Sequence, residues 1–251
     1  MPAALELGRG LLSDEHFPVD GTLIEAAASL KSFTPRDGKP SKSTDDDPGN
    51  PSVDFHGKKR STATHRSTTN PEARLLRKGR GKVAKLVFMA HALMGNRNGI
   101  LVDLLVSEAT GTAERDAVPE LLDRAKKWRL RPKILATDKD YNTRDCVKDL
   151  RKRKVTPHGA QNTSGRRSAI DGRTTRHDGY RISQRIHKRV EEIFGWMKTI
   201  GGFRRTRYRG SDRTGLLGRL VATAYNLVRI TRRSAGERLG GSLARIRRYL
   251  V

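Results

Sequence analysis

Arginine is the side chain in this sequence whose number and position carry the clearest chemistry. From Phe203 to Val251 there are 13 arginines, no lysines and two acids, Asp212 and Glu237. A surface that serves only for solvation usually mixes both signs, so this density favours contacts with phosphate groups, each of which releases counterions and makes binding sensitive to salt. Over all 251 residues, 52 lysines and arginines against 27 acids give a net charge of +25 and a pI of about 11.0. A nucleic acid is therefore the partner that we expect first.

Other kinds of site are excluded by what the sequence lacks. The single cysteine, Cys146, rules out a disulfide framework and a cysteine-rich zinc site, and the seven histidines are scattered without the close pairing of zinc-binding helices. The basic run Arg77–Lys82 lacks the Gly-Lys-Ser/Thr of a phosphate-binding loop, so it is predicted to be a flexible basic loop. No stretch approaches the roughly 18 apolar residues of a membrane span. We expect a soluble, cytoplasmic, nucleoid-associated protein without a membrane partner.

Apolar runs predict a mixed α/β fold. Lys85–Met94 and Gly99–Val106, joined by a turn, are typical of a β-hairpin, and His16–Asp20 predicts a short earlier strand that reaches a turn. Later patterns predict, in order, a helix, a strand, a helix, a strand and two helices: Thr112–Arg129, Pro132–Thr137, Arg144–Arg153, Val155–His158, Ile182–Ile200 and Thr214–Arg232. Pro119 restricts where the first helix can start, and Thr143 is a suitable cap for the second. A hairpin is antiparallel while the later crossovers imply parallel strands, so the sheet should be mixed.

Several segments together resemble the DDE transposases of bacterial insertion sequences, in the insertion-sequence-five branch of the insertion-sequence-four group. The segments that carry the resemblance are His16–Thr22, Thr64–Ala73, Thr110–Asp116, Thr137–Tyr141 and Arg189–Lys198. The resemblance covers roughly Leu11 to Arg232. It implies an RNase H-like core with a mixed sheet flanked by helices, here with a long polar insertion and a basic helical C-terminus.

The same resemblance implies the catalytic residues. In such proteins one aspartate comes from the first strand, a second from the end of the fourth and a glutamate from a later helix, which places the catalytic and metal-binding roles on Asp20, Asp138 and Glu191. Two divalent ions need several carboxylate ligands to activate the attacking hydroxyl and to stabilise the leaving oxygen of a phosphodiester. Because all the candidate ligands are oxygen donors, two Mg²⁺ ions are expected, with Mn²⁺ as an alternative.

The resemblance further implies contacts with double-stranded DNA, both the transposon ends and the target, and a homodimer that pairs two ends. Lys198 would contact a phosphate near the scissile bond. The other residues expected to hold DNA are His187, Arg185, Lys188, Arg189, Arg204, Arg205 and Arg207. Metal-dependent cleavage of the ends followed by strand transfer is the implied activity.

The sequence departs from the family pattern at several positions. In the Tyr-x2-Arg-x3-Glu-x6-Lys signature, Gln184 replaces the tyrosine and His187 the arginine, although both would share a helical face with Glu191 and Lys198. After Asp138 the branch usually has Asp-Lys-Gly-Tyr-Asp, whereas this chain has Asp140 and Asn142, and Asp140 adds negative charge beside the expected metal site. Relatives also carry a longer helical region before the first aspartate. The chain is therefore interpreted as an N-terminally truncated copy.

Each carboxylate also has an ordinary structural interpretation. Asp20-Gly21 is a common turn dipeptide, Asp138 could cap a turn, and Glu191 or Glu192 could lie on a solvated helix face. The six-residue gap to Lys198 favours Glu191 over Glu192. The alternative function is accordingly a catalytically inactive transposase remnant or a basic nucleic-acid-binding protein.

The chain is predicted to divide into four parts. Residues 1–30 hold the first strand of the catalytic core, and residues 31–82 form a polar, low-complexity insertion or loop. Residues 83–202 complete the core. Residues 203–251 form an arginine-rich helical segment.

Overall fold

The computed structural model describes residues 1–36, 61–77, 82–163, 165 and 167–248, with side chains as far as residue 234. The strands are β1 (His16–Glu25), β2 (Phe33–Pro35), β3 (His65–Ser67), β4 (Arg74–Leu76), β5 (Lys85–Gly95), β6 (Ile100–Glu108), β7 (Ile134–Thr137) and β8 (Thr156–Gly159). The helices are α1 (Pro2–Leu7), α2 (Ala113–Lys127), α3 (Arg144–Lys152), α4 (Gly172–Thr175), α5 (Asp178–Ile186), α6 (Arg189–Thr199) and α7 (Ser211–Arg248). None of these helices combines the length and apolar character needed to span a membrane.

Six strands form one mixed sheet. Its order is β4-β5-β1-β7-β8, with β6 also paired to β5. β1, β4 and β6 each pair with β5 antiparallel, whereas β7 pairs parallel with both β1 and β8. Because the hairpin supplies the antiparallel part and the crossovers supply the parallel part, the predicted α/β fold with a mixed sheet flanked by helices is confirmed.

Two apolar clusters lie on opposite faces of the sheet. On one face Phe17 and Val19 of β1 pack with α2 residues that include Leu121. On the other face Ile24 of β1 packs with α6 and α7 side chains, among them Ile193. Successive side chains of a strand point to opposite faces, so β1 is buried from both sides and is held firmly between the two helical layers.

Local patterns predicted most of the core elements. The hairpin is present as β5 and β6, and the strand after Val155 is β8, parallel to β7. Thr143 caps α3, its Oγ1 accepting a hydrogen bond of 3.3 Å from the Cys146 amide. Pro119, however, lies inside α2, which begins six residues earlier at Ala113. The contacts of α2 with the sheet stabilise the helix despite the amide donor that proline lacks.

The predicted helix Ile182–Ile200 is instead two helices, α5 and α6. They are interrupted at His187-Lys188, where the amides of Val190 and Glu191 donate to the carbonyls of His187 and Lys188, three residues back, rather than four. Because of this tighter turn, the apolar face of α6 does not continue that of α5. Ile200, at the predicted apolar end, is 74% exposed.

Two more predicted segments differ in extent. The C-terminal helix predicted over Thr214–Arg232 runs from Ser211 to Arg248. The predicted polar insertion, residues 31–82, contains β2, β3 and β4 in its described parts, and β4 joins the main sheet. Residues 37–60 and 78–81 of that segment lie outside the described residues.

The packing of α7 on β6 gives a test of the fold. A Cβ atom on Gly218 would lie 2.5 Å from Leu104 Cδ2 and 2.9 Å from Phe203 Cζ, both fully buried side chains. We expect Gly218→Ala to lower the free energy of unfolding by about 1–3 kcal/mol through overpacking. Gly215→Ala, on the same helix, meets no atom closer than 3.4 Å and should raise it by up to about 1 kcal/mol, because alanine favours a helix. Urea unfolding of the two variants checks this, and a loss of similar size in both would contradict it.

Candidate functional site

The register between β1 and β7 brings two aspartates to the same edge of the sheet. The strands pair in parallel through Pro18 and Ala136, and Asp20 and Asp138 each come two residues later. Asp20 lies within β1, which continues unbroken through Gly21 to Glu25, so the interpretation of Asp20-Gly21 as a turn is wrong. Asp138 directly follows β7, where its Oδ1 accepts a 2.9 Å hydrogen bond from the Asp140 amide. Adjacent strands are about 4.8 Å apart, so the two carboxylates are neighbours.

Helix α6 brings the predicted glutamate to the same place. Lys198 Nζ donates a 2.6 Å hydrogen bond to Thr22 Oγ1 of β1, which fixes one face of α6 against the strand. Thr22 and Asp20 point to the same side of β1, and Glu191 lies two helical turns before Lys198 on the same side of α6. Glu191 therefore faces the region of Asp20.

The electrostatics of Asp20 agree with this arrangement. The pKa of Asp20 is raised to about 7, mainly by burial and also by the charges of Asp138 and Glu191, while a hydrogen bond from the Gly21 amide opposes the shift. Both predicted partners thus lie within electrostatic range of Asp20. Glu192 acts on a different group, because burial raises the pKa of Tyr225 on α7 and the charge of Glu192 adds to that shift.

A fourth carboxylate, Glu114, was missed by the sequence analysis. Ligand oxygens of Glu114, Asp138 and Asp140 all lie within 4.8 Å of one another, and this acidic cluster contains only one of the three predicted catalytic residues. Burial raises the pKa of Glu114 to about 7, and the charges of Asp138, Asp20 and Asp140 add to the shift. Glu114 is in the first turn of α2. The available signal was its place in a segment that carries the family resemblance, but nothing there separates it from Asp116.

Gly21 explains how Glu114 comes so close to β1. A Cβ atom at position 21 would lie 2.7 Å from Glu114 Oε1 and 3.0 Å from its Cγ. No larger residue leaves room for the glutamate in this position. The absence of a side chain at Gly21 therefore allows an acid from α2 to reach the strand that carries Asp20.

Tyr141 lies beneath this cluster with its hydroxyl buried. The residue is 2% exposed, and within the described residues its hydroxyl has no hydrogen-bond partner. Burial raises the pKa of Tyr141 well above its usual value, and the charges of Glu114, Asp20 and Asp138 act in the same direction. A buried polar group without a partner is unusual and points to a site that a ligand completes.

A family model described as "Transposase DDE domain" matches residues 12–227 of the chain. The chain belongs to this family. No curated protein sequence matches it significantly. Among solved structures, the crystal structure of the Mos1 strand transfer complex is similar, with a TM-score of 0.30 and 12% identity over 92% of this chain. The chain spans 60% of the length of that structure, and so distant a likeness supports no comparison of individual residues.

The acidic residues of this DDE domain have the chemistry that a divalent metal requires. Asp20, Glu114, Asp138, Asp140 and Glu191 offer only carboxylate oxygens, the ligands that Mg²⁺ and Mn²⁺ prefer. Burial raises the pKa values of Asp20 and Glu114, and repulsion from neighbouring acids adds to both shifts. A cation would relieve that repulsion, so the residues fit a metal site.

The residues predicted to hold DNA are spread over two regions. His187 is near the acids, because burial raises the pKa of Asp138 and the charge of His187 opposes that shift. His187 Nδ1 also donates a hydrogen bond of 2.8 Å to the Gln184 carbonyl. Arg189 donates to the Asn96 carbonyl at 3.1 Å and is directed at the hairpin turn. The exposed members are Arg185, Lys188, Arg189, Arg204, Arg205 and Arg207. The last three lie on the loop that pairs with Glu25, at the end of β1.

Replacement of Asp20 tests whether its buried negative charge destabilises the folded protein. In the presence of a chelator at pH 8, we expect Asp20→Asn to raise the free energy of unfolding by on the order of 3 kcal/mol, because the buried carboxylate is charged there and the amide is not. The pKa of Asp20 is higher in the folded state, so its charge destabilises the fold as pH rises from about 4 to 7, and the gain should vanish near pH 4. Chemical denaturation at both pH values measures the difference. An equal gain at both would show that charge is not the cause.

Replacement of Gly21 tests the position of Glu114. Gly21→Ala should displace the Glu114 side chain, which can rotate away, and should leave the stability of the metal-free protein within about 1 kcal/mol. We expect the rise in melting temperature on adding Mg²⁺ to shrink as much as it does in Glu114→Gln. Gly111→Ala is the control, since nothing lies within 4 Å of its Cβ position. Unchanged Mg²⁺ stabilisation in Gly21→Ala would contradict this placement.

Proposed function

We propose that this DDE domain cleaves the ends of a DNA transposon and joins them to target DNA, using divalent metal ions. The proposal is supported chiefly by the charges of Asp138 and Glu191 acting on the buried Asp20, and by the cluster of Glu114, Asp138 and Asp140, whose ligand oxygens lie within 4.8 Å of one another. A family whose model covers most of the chain supports the same conclusion.

The protein residues divide into metal ligands and DNA contacts. Asp20, Asp138 and Glu191 would hold Mg²⁺ or Mn²⁺, with Glu114 as a further ligand. Bound there, the metal supplies a polarised attacking hydroxyl and stabilises the leaving oxygen of the phosphodiester. Lys198 keeps α6 docked on Thr22 and so holds Glu191 in place.

The DNA would lie along the cationic residues beside the acids. His187 acts on Asp138, and the exposed Arg185 and Lys188 are its neighbours along the chain. Arg204, Arg205 and Arg207 would extend the positive surface past the end of β1. Guanidinium groups bind phosphate oxygens in a fixed geometry, which orients the DNA backbone. Pairing of two transposon ends would bring two copies of the chain together on DNA.

A cleavage and strand-transfer assay with labelled duplexes tests the proposal. We expect Mg²⁺-dependent products with the wild type, and losses on the order of 100-fold or more in Asp20→Asn, Asp138→Asn and Glu191→Gln, because each ligand helps to stabilise charge in the transition state. Glu192→Gln is the matched control, since the charge of Glu192 acts on Tyr225 of α7, and it should retain activity within a few fold.

Two outcomes would oppose the proposal. If the wild type and all variants give the same background while still binding DNA, the chain is a DNA-binding protein without catalysis. If Glu192→Gln loses activity and Glu191→Gln does not, the assignment of the catalytic glutamate is wrong.

A further inference from the structure

A cleft lined by cationic residues lies at the same edge of the sheet as the acidic cluster. This cleft, of about 410 Å³, opens between α3 and the segment that leads into α4. Its cationic lining residues are Arg144, Lys148, Arg151, Arg167 and Arg173. We propose that this cleft binds the phosphate backbone of the DNA duplex that enters the active site, an inference that rests on the proposed function.

The cleft is organised around a single acid. Asp171 caps α4 and accepts hydrogen bonds from Arg151 at 3.2 Å and from the Arg173 guanidinium at 2.7 Å. Those two arginines are thereby held in fixed positions. Arg144, Lys148 and Arg167 are exposed and take part in no ion pair within the described residues. With five cations and one acid, the cleft carries an excess of positive charge that suits a polyanion.

The cleft is attached directly to the strand end that carries Asp138. Asn142, four residues further on and 2% exposed, accepts a 2.7 Å hydrogen bond from the Ala169 amide and donates to Ser168 Oγ at 2.8 Å and to the Ala160 carbonyl at 2.9 Å. Ser168 and Ala169 line the cleft. Because β7 and β8 are parallel, the segments that follow them leave from the same edge of the sheet, so the cleft lies at the edge that carries Asp138.

The arrangement suits a duplex backbone better than a single small anion. Arg144, Lys148 and Arg151 follow one face of α3, and seven residues of helix span about 10.5 Å. Phosphates repeat regularly along a DNA strand, so a row of this length can contact more than one of them. Arg167 and Arg173 contribute from the other wall. Several cations in a row can contact successive phosphates, whereas one inorganic phosphate would use only a few of them.

Paired charge variants test the inference. The cleft variant Arg144→Gln/Lys148→Gln/Arg167→Gln keeps the arginines that Asp171 holds. The control, Lys126→Gln/Lys127→Gln/Arg131→Gln, removes the same charge from exposed residues at the other end of β7. Binding of a 30-base-pair duplex is measured by fluorescence anisotropy in a chelator over a range of salt. We expect the cleft variant to bind at least about tenfold more weakly near 100 mM salt and to reduce the slope of log K against log salt by about 2.7, and the control to change affinity by less than about threefold.

The outcomes separate this inference from the proposed function. Equal losses in the two variants, or wild-type binding by the cleft variant, would overturn it, and melting temperatures confirm that both variants are folded. If the cleft variant loses only stabilisation by inorganic phosphate and still binds the duplex, the cleft is a small-anion site and the inference also fails. Because binding is measured without metal, absence of cleavage by the wild type would overturn the proposed function and leave this result standing.

Discussion

The burial of neighbouring carboxylates is the constraint around which this structure is organised. Asp20 and Glu114 are both pushed toward the neutral form by burial and by neighbouring acids. Within the described residues, neither forms an ion pair with a lysine or arginine, although the chain as a whole is strongly basic. Packing elsewhere in the fold must therefore offset the cost of holding these groups together. A protein that keeps such acids unneutralised has a site suited to a cation from solution.

The sheet and the two helical layers packed on it together position the acids. β1 is packed on both faces, so Asp20 cannot move without disturbing both apolar clusters. Helix α6 positions Glu191, because Lys198 of the same helix donates a hydrogen bond to Thr22. Helix α2 positions Glu114, which comes close to β1 because Gly21 has no side chain. The site thus lies where the two layers meet the end of a parallel strand pair.

The sequence predicted the elements well, and the site less completely, for identifiable reasons. The hairpin and the parallel strands follow from apolar runs that local patterns detect. The sequence did not identify Glu114 as a site residue because acids are common in the first turn of a helix, where they interact favourably with the helix dipole. Asp20 resembled a turn residue because an Asp-Gly pair carries no sign of the α2 glutamate that requires a glycine there. Only tertiary contacts distinguish these cases.

The departures from the family signature acquire physical roles in the same way. Gln184 donates to the His158 carbonyl at 2.7 Å and so ties α5 to the end of β8, while the charge of His187 acts on Asp138. Asp140, which was expected to add negative charge beside the metal site, belongs to the acidic cluster with Glu114 and Asp138.

Asn142, which stands where the family branch usually has aspartate, has the clearest structural role among these departures. Its amide both donates to the Ala160 carbonyl and accepts from the Ala169 amide, and an ionised aspartate could only accept. An aspartate here would face a carbonyl oxygen and repel it, which would loosen the segment that lines the cationic cleft. The asparagine therefore links the acidic strand end to the basic wall beside it, and the two oppositely charged surfaces are positioned by one buried side chain.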